Sequence, residues 1–261
     1  FYANYENFEA KGESGTPSFT SSKEDLAGWM STEETITING GEDIKVPYTI
    51  TIPLDAEPGG HFAAIFWSTT PPSDAQISIG AKVGMLVLLR VRGDIKEEGG
   101  VLEFGAEKNK KYYNTLLVNF YYRFQNSGND RIKPIGEIKI KNMFGFNSAK
   151  PSANPQEGNI LPHSIRIFNI VWGDNTGEFF YLIEDEDNLA VKFWKGVKRE
   201  WHNFGFGRYK AHLNITYGQQ DTISKSSVVI YVLPWRLTLI VLVVLIIIFW
   251  FGRHEIRKYN R

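Results

Sequence analysis

The chain contains no cysteine in 261 residues. No disulfide framework, thiolate metal site or thiol nucleophile can be built, so stability has to come from apolar cores. That absence fits a prokaryotic surface better than a secreted eukaryotic one. Charge of one sign is lacking too: 29 Lys and Arg stand against 29 Asp and Glu. From Arg236 onward there are five bases and one acid, which leaves 24 bases against 28 acids in the rest. A mildly acidic body offers no basic face to a phosphate backbone, so nucleic acid is not an expected partner.

Catalytic signatures are also missing. There is no Gly-x-Ser-x-Gly elbow and no Walker loop. The many acids define no pair, because sequence alone does not give the separation a glycosidase requires. The five histidines, His61, His163, His202, His212 and His254, share no metal-ligand spacing. The acidic run Glu184 to Asp187 lacks the Asp-x-Asp-x-Asp-Gly pattern of a calcium loop and reads as a solvated loop. Neither an enzyme nor a metal or other cofactor is expected.

Long apolar runs are absent except for one, Leu237 to Phe251 (LTLIVLVVLIIIFWF). A bilayer needs ~20 helical residues to cross its hydrocarbon. Val232 and Leu233, followed by Pro234 and Trp235, extend the run, so a transmembrane helix is expected over 234–252. Trp235 and Trp250 stand near its two ends, where amphipathic rings favour the headgroup level. Arg236 is close enough to one end for its long side chain to snorkel outward. Arg253 opens a basic tail, 253–261, with Arg257, Lys258 and Arg261 against Glu255. By the positive-inside rule this tail is expected in the cytoplasm and everything before Trp235 outside.

What precedes the anchor reads as β. Glu34 to Ile38 alternates as ETITI, and Ile44 to Ile52 (IKVPYTITI) puts Val46, Tyr48, Ile50 and Ile52 on one face. Strong strands follow at His61 to Ser68 and between Ile77 and Arg92. The charged GDIKEEGG, Gly93 to Gly100, reads as a tight joint between two domains. Further strands are expected at Leu116 to Phe124, Gly136 to Lys141, Ile160 to Trp172, Arg208 to Gly218 and Ser226 to Leu233. Short strands broken by turns, each with one apolar face, point to two immunoglobulin-like β-sandwiches, 1–95 and 96–233. Tyr209, after FGFG at the start of a late strand, resembles a tyrosine corner. Phe1 opens in mid-strand with no export signal, so the first domain is expected to lack its first strands.

PLDAEPGGHFAAIFWSTTPP, VGMLVLLRVRGDIKEEGG, NSGNDRIKPIGEIKIKNMFG, LPHSIRIF, FGFGRYKAHLNITYG and VLPW together resemble single-pass surface proteins of candidate-phyla bacteria such as the Parcubacteria. That resemblance spans nearly the whole chain. More distantly, the Gly59-Gly60 strand and the layout are similar to WxL-interacting cell-surface proteins of Gram-positive bacteria. In those, a peptidoglycan-binding sandwich precedes a host-binding sandwich, one helix and a basic tail. The resemblance implies a membrane-anchored surface protein and carries over no ligand residues.

The segment Gly173 to Asn203 is long for a sandwich loop. Its second half mixes rings and positive charge: Phe193, Trp194 and Trp201 with Lys192, Lys195, Lys198 and Arg199. Stacking and cation–π contact would suit a sugar or anionic polymer. The alternative is a helix or strand that packs its rings on the body and solvates its charges. Asn214-Ile215-Thr216 matches a glycosylation sequon and reads as a chance occurrence. The expected role is binding or scaffolding at a bacterial envelope, toward peptidoglycan or another surface protein. The alternatives are a lateral assembly subunit and a wall-active hydrolase.

Overall fold

The computed structural model describes residues 1–71, 81–173 and 188–259. The fold is mostly β-sheet, arranged as several sheets, with one apolar helix at the C-terminal end. The N-terminal unit comprises β1 (Tyr2–Lys11), β2 (Thr16–Thr20), α1 (Leu26–Trp29), β3 (Met30–Thr32), β4 (Tyr48–Ile50), β5 (Gly59–Ser68) and β6 (Lys82–Val91). β1, β2, β5 and β6 form one antiparallel sheet in the order β2-β1-β5-β6, and β3 pairs with β4 alongside. The alternation along β5 sends Ala63 and Ile65 to one face, where Leu26, Ala27, Met30 and Val87 complete a small core. Its other face carries Phe62, whose ring meets Phe8 of β1 at 5.9 Å.

Two expected strands are much shorter here. Of Ile44 to Ile52 only Tyr48–Ile50 pairs, because Pro47 has no N–H to donate and Ile44, Tyr48 and Ile52 remain exposed. Glu34 to Ile38 adds only a bridge beside Tyr2, through Ala3 N to Glu34 O at 2.9 Å and Ile36 N to Phe1 O at 2.9 Å. Ile77, where the long strand ending near Arg92 is expected to start, lies outside the described residues.

The second unit comprises β7 (Gly99–Ala106), β8 (Tyr112–Tyr113), β9 (Val118–Asn126), β10 (Ile135–Lys141), β11 (Asn147–Ala149), β12 (Ser164–Trp172), α2 (Leu189–His202), β13 (Gly207–Tyr217) and β14 (Thr222–Val232). One sheet runs β11-β10-β13-β14-β8 and the other β12-β9-β7, and a shared core fills the space between them. Val118, Phe120, Tyr122 and Phe124 of β9 face Ile138, Ile140, Leu213, Ile215 and Ile230, all buried. Each large apolar side chain removed from water contributes ~1.5–3 kcal/mol, so this layer stabilises the unit without cross-links. β12 begins at Ser164 rather than Ile160. Pro162 has no N–H, and His163 turns the chain with φ 53°.

The two units are pinned together at a Gly-Gly corner. Gly60 N donates to Asn129 O at 2.8 Å, and Asn129 Nδ2 donates to the carbonyls of Pro58 and Asp94 at 3.1 and 2.9 Å. Lys96 N returns a bond to Asn129 Oδ1 at 2.8 Å. Asp130, nearly fully buried, meets Arg90 Nε at 2.5 Å. Across the units, Arg123 Nε donates to Glu13 Oε2 at 2.7 Å, and Ile167 N donates to Glu13 O at 2.8 Å. The segment 93–98 is thus held at both ends rather than acting as a loose tether. A cavity of about 240 Å³ lies between the units, walled by Phe8, Leu86, Leu88, Ile165 and Arg166.

α3 (Trp235–Tyr259) leaves β14 after two residues. Its segment Trp235–His254 has 20 residues and mean hydropathy 2.4, with none of it buried against the body. At ~1.5 Å per residue that is ~30 Å, the thickness of a hydrocarbon core. The helix is long and apolar enough to cross a membrane. It continues past the apolar run, so the basic tail is helical as far as Tyr259.

Candidate functional site

The aromatic and basic stretch of the long insertion forms α2. Asn188 caps it, its side chain accepting from Val191 N at 2.9 Å. A helix places residues three, four and seven apart on one face. Phe193, Gly196 and Glu200 make up such a face, and it is turned toward the start of α3. The rings of Phe193 and Trp235 stand 6.2 Å apart. Glu200 is fully buried.

The Glu200 carboxylate is aimed at the open N-terminal end of α3. Oε2 accepts Arg236 N at 2.9 Å and Leu237 N at 3.1 Å, and Oε1 accepts the Arg236 guanidinium at 3.0 Å. A helix start carries unpaired N–H groups and partial positive charge, and a carboxylate answers both. Most capping residues are neighbours in sequence; here the cap comes from another helix 37 residues away. Arg236 sits directly over Gly196, where an added Cβ would come within 2.4 Å of Nε. Its guanidinium also covers the Trp235 ring at 4.5 Å. Arg236 is therefore turned back into the body.

Other bonds fasten the same junction. Leu233 N donates to Tyr113 O at 2.8 Å in the parallel pairing of β14 with β8. Thr238 N and Thr238 Oγ1 both donate to Pro234 O at 2.9 Å. Leu116 N donates to Asn203 O at 3.0 Å, tying the end of α2 to the start of β9. α2 covers only the first turn or so of α3, since every described side chain from Val241 onward is exposed.

The candidate residues divide between faces. Phe193 is half-buried inward. Trp194 and Trp201 lie seven residues apart on an adjoining flank, 60% and 75% exposed. Lys198, one helical turn from both tryptophans, is exposed beside them, and Lys195 and Arg199 are half-buried on the opposite side. Trp235 is exposed at the start of α3. At the far end Trp250 stacks on His254 at 5.9 Å, and Arg253 is exposed. Glu200 and Gly196 are absent from the sequence-based candidates, although the helical spacing from Phe193 points to both. The run Glu184 to Asp187 lies outside the described residues.

Remaining candidates have structural partners. His61 Nδ1 meets Asp25 Oδ1 at 2.6 Å, and Nε2 meets Glu57 O at 2.9 Å, within a central strand. Tyr209 is buried and its hydroxyl accepts Phe206 N at 3.3 Å. His212 is held below the usual histidine range, first by burial and then by Lys210 and Lys141. Among the described residues no three His, Asp or Glu side chains cluster at metal-binding range. Comparison with known protein-family models and with curated proteins finds no match.

Proposed function

We propose that the chain is a single-pass membrane-anchored binding or scaffolding protein of a bacterial envelope, with the β-rich body outside and the basic tail in the cytoplasm. The observation that carries this reading is the capping of α3 by Glu200. A helix on a loose tether would need no carboxylate from the body. A capped and clamped helix sets the body at a fixed attitude to the bilayer, which suits a protein whose output is position. The second unit is read as an immunoglobulin-like sandwich, supported by two sheets around one core and by the Tyr209 corner. Peptidoglycan or another surface protein is the proposed partner, and no chemistry is assigned.

Labelling of whole cells tests the anchoring. The chain has no cysteine, so single variants Leu54→Cys and Asn260→Cys report the two sides with a membrane-impermeant maleimide. Labelling of residue 54 alone, with residue 260 reached after permeabilisation, is expected; the reverse pattern overturns the orientation. Retention of the full chain in nanodiscs on purified peptidoglycan or on envelope extract tests the binding role, and release from both overturns it.

A second reading is lateral assembly. β6 is an edge strand, and Val83, Met85 and Leu86 on it are exposed. Apolar edge strands invite pairing with another chain. Disulfide-linked dimers of Met85→Cys in membranes would favour this reading.

A further inference from the structure

The anchored reading leaves unexplained a set of exposed rings at one end of the body. β10 pairs with β13 up to Lys141 opposite Lys210, and three residues further along β13, Gly207 pairs with Val232. The β10–β11 turn continues in that direction, and Met143 reaches Gly207, where an added Cβ would be 2.4 Å from Cε. The turn therefore ends level with Val232, two residues before Pro234 and α3. Phe144 and Phe146 on it are 75% and 71% exposed. The loop from α2 into β13 ends at the same Gly207, and its Phe204 and Phe206 are both more than half exposed. Trp194 and Trp201 of α2 complete the set.

Six large rings in water at one end of a body are costly unless something covers them. Their position names the cover. All come from segments joined to the start of α3, the end that enters the bilayer. α2 itself carries Trp194 and Trp201 on one flank and Lys192, Lys195 and Arg199 on the other, the pattern of a helix lying in a membrane interface. Its contact with α3 is confined to the first turn or so. From Phe193 to Glu200 it spans ~10 Å, whereas Trp235 to Leu237 spans ~3 Å, so α2 crosses the entrance of α3 rather than running down it. A helix across the top of a membrane-spanning one lies along the surface.

The geometry points to a second membrane contact: the helix α2 and the β10–β11 turn seat their rings in the headgroup layer around the entrance of α3. The body then rests on the bilayer at three places, the turn, α2 and the α3 entrance, and cannot tilt about the helix. Lys141 and Lys198 are exposed beside the rings and suit the phosphates of anionic lipids. This inference rests on α3 crossing the membrane.

Single-cysteine variants of the full chain test it. Phe144→Cys and Trp201→Cys replace exposed rings, so the fold has little to lose. Each would carry an environment-sensitive fluorophore in vesicles of phosphatidylcholine and phosphatidylglycerol, with Leu54→Cys and Val244→Cys as references. Residues 144 and 201 are expected to lose fluorescence to a nitroxide carried near the lipid headgroup and to be shielded from aqueous iodide. Residue 54 should show the opposite. Free quenching of residues 144 and 201 by iodide, without quenching from the lipid, overturns the proposal. Shielding from both quenchers also overturns it and assigns the surface to a protein. If residue 244 escapes a nitroxide placed at mid-bilayer, the anchoring itself has failed and not only the docking.

Discussion

Glu200 and Leu237 meet through a carboxylate oxygen and a backbone N–H at 3.1 Å, with the neighbouring N–H of Arg236 on the same oxygen at 2.9 Å. One buried side chain thus couples α2 to the apolar helix α3. Truncating it leaves Arg236 half-covered without its partner and two N–H groups open. Glu200→Ala should cost about 3 kcal/mol, the range for breaking a buried pair. Glu200→Gln keeps an acceptor oxygen and should cost about half as much. Pairing Glu200→Leu with Arg236→Met removes both charges, which often restores stability elsewhere; here the open N–H groups should keep the double variant destabilised. Thermal unfolding of the full chain in detergent micelles, followed by tryptophan fluorescence, separates these outcomes. Recovery of the double variant to wild-type stability would show the capping bonds to be without weight.

Gly128 is pinched in the turn that carries Asn129. An added Cβ would stand 1.9 Å from Lys96 O, a backbone atom with nowhere to go. Gly128→Ala should therefore cost about 3 kcal/mol through overpacking and displace the 93–98 segment. Gly40 lies outside the positive-φ region and has no neighbour within 4 Å of an added Cβ. Gly40→Ala should change stability by less than about 0.5 kcal/mol, or raise it slightly by narrowing the unfolded ensemble. Urea midpoints of the two variants test the contrast.

Much of this arrangement was legible in the chain. The apolar run from Leu237 to Phe251 has no counterpart elsewhere, and it forms the apolar helix. Period-two alternation located β10 and β13 to within a residue or so, because each buries one face only. Alternation failed for Ile44 to Ile52, where proline and the lack of a neighbouring sheet leave most of the run unpaired. The insertion showed its rings and bases but not their grouping, since a mixed stretch has meaning only once a helical period is imposed. Glu200 was hidden for a different reason. A single acid between Arg199 and Trp201 looks like part of a solvated face, and only the three-dimensional approach of α3 makes it a cap.

Acid should loosen the contact between the units. Arg123 bonds the Glu13 carboxylate, and that bond holds its pKa below the ordinary glutamate value of 4.5. A depressed carboxylate pKa contributes stability above 4.5, and the contribution is lost as pH falls through the lower folded value. His212 acts in the same direction over an earlier window. Its folded pKa lies below 6.5, so the unfolded chain takes up the proton first and stability starts to fall there. Glu13→Gln removes the first contribution and leaves the second. Melting temperatures from pH 7 to pH 3 should then fall less steeply below pH 4.5 in the variant. Parallel curves would mean that Glu13 does not stabilise the joint.

Tyr122 lies at the centre of the core with its ring stacked on Phe168 at 4.8 Å. It is fully buried, yet its hydroxyl has no hydrogen-bond partner. Burial alone pushes its ionisation far above the normal tyrosine range, with nearby Arg166 opposing it weakly. A buried unpaired hydroxyl costs free energy, while the ring beneath it packs as any phenyl would. Tyr122→Phe keeps the ring and removes the cost, so it should be neutral or stabilise by up to about 1 kcal/mol. Tyr122→Ala discards the ring as well and should cost about 3–5 kcal/mol, the range for removing a core aromatic. Should Tyr122→Phe prove clearly destabilising in the same unfolding measurement, the hydroxyl must have a partner, and a buried water would be the first to seek.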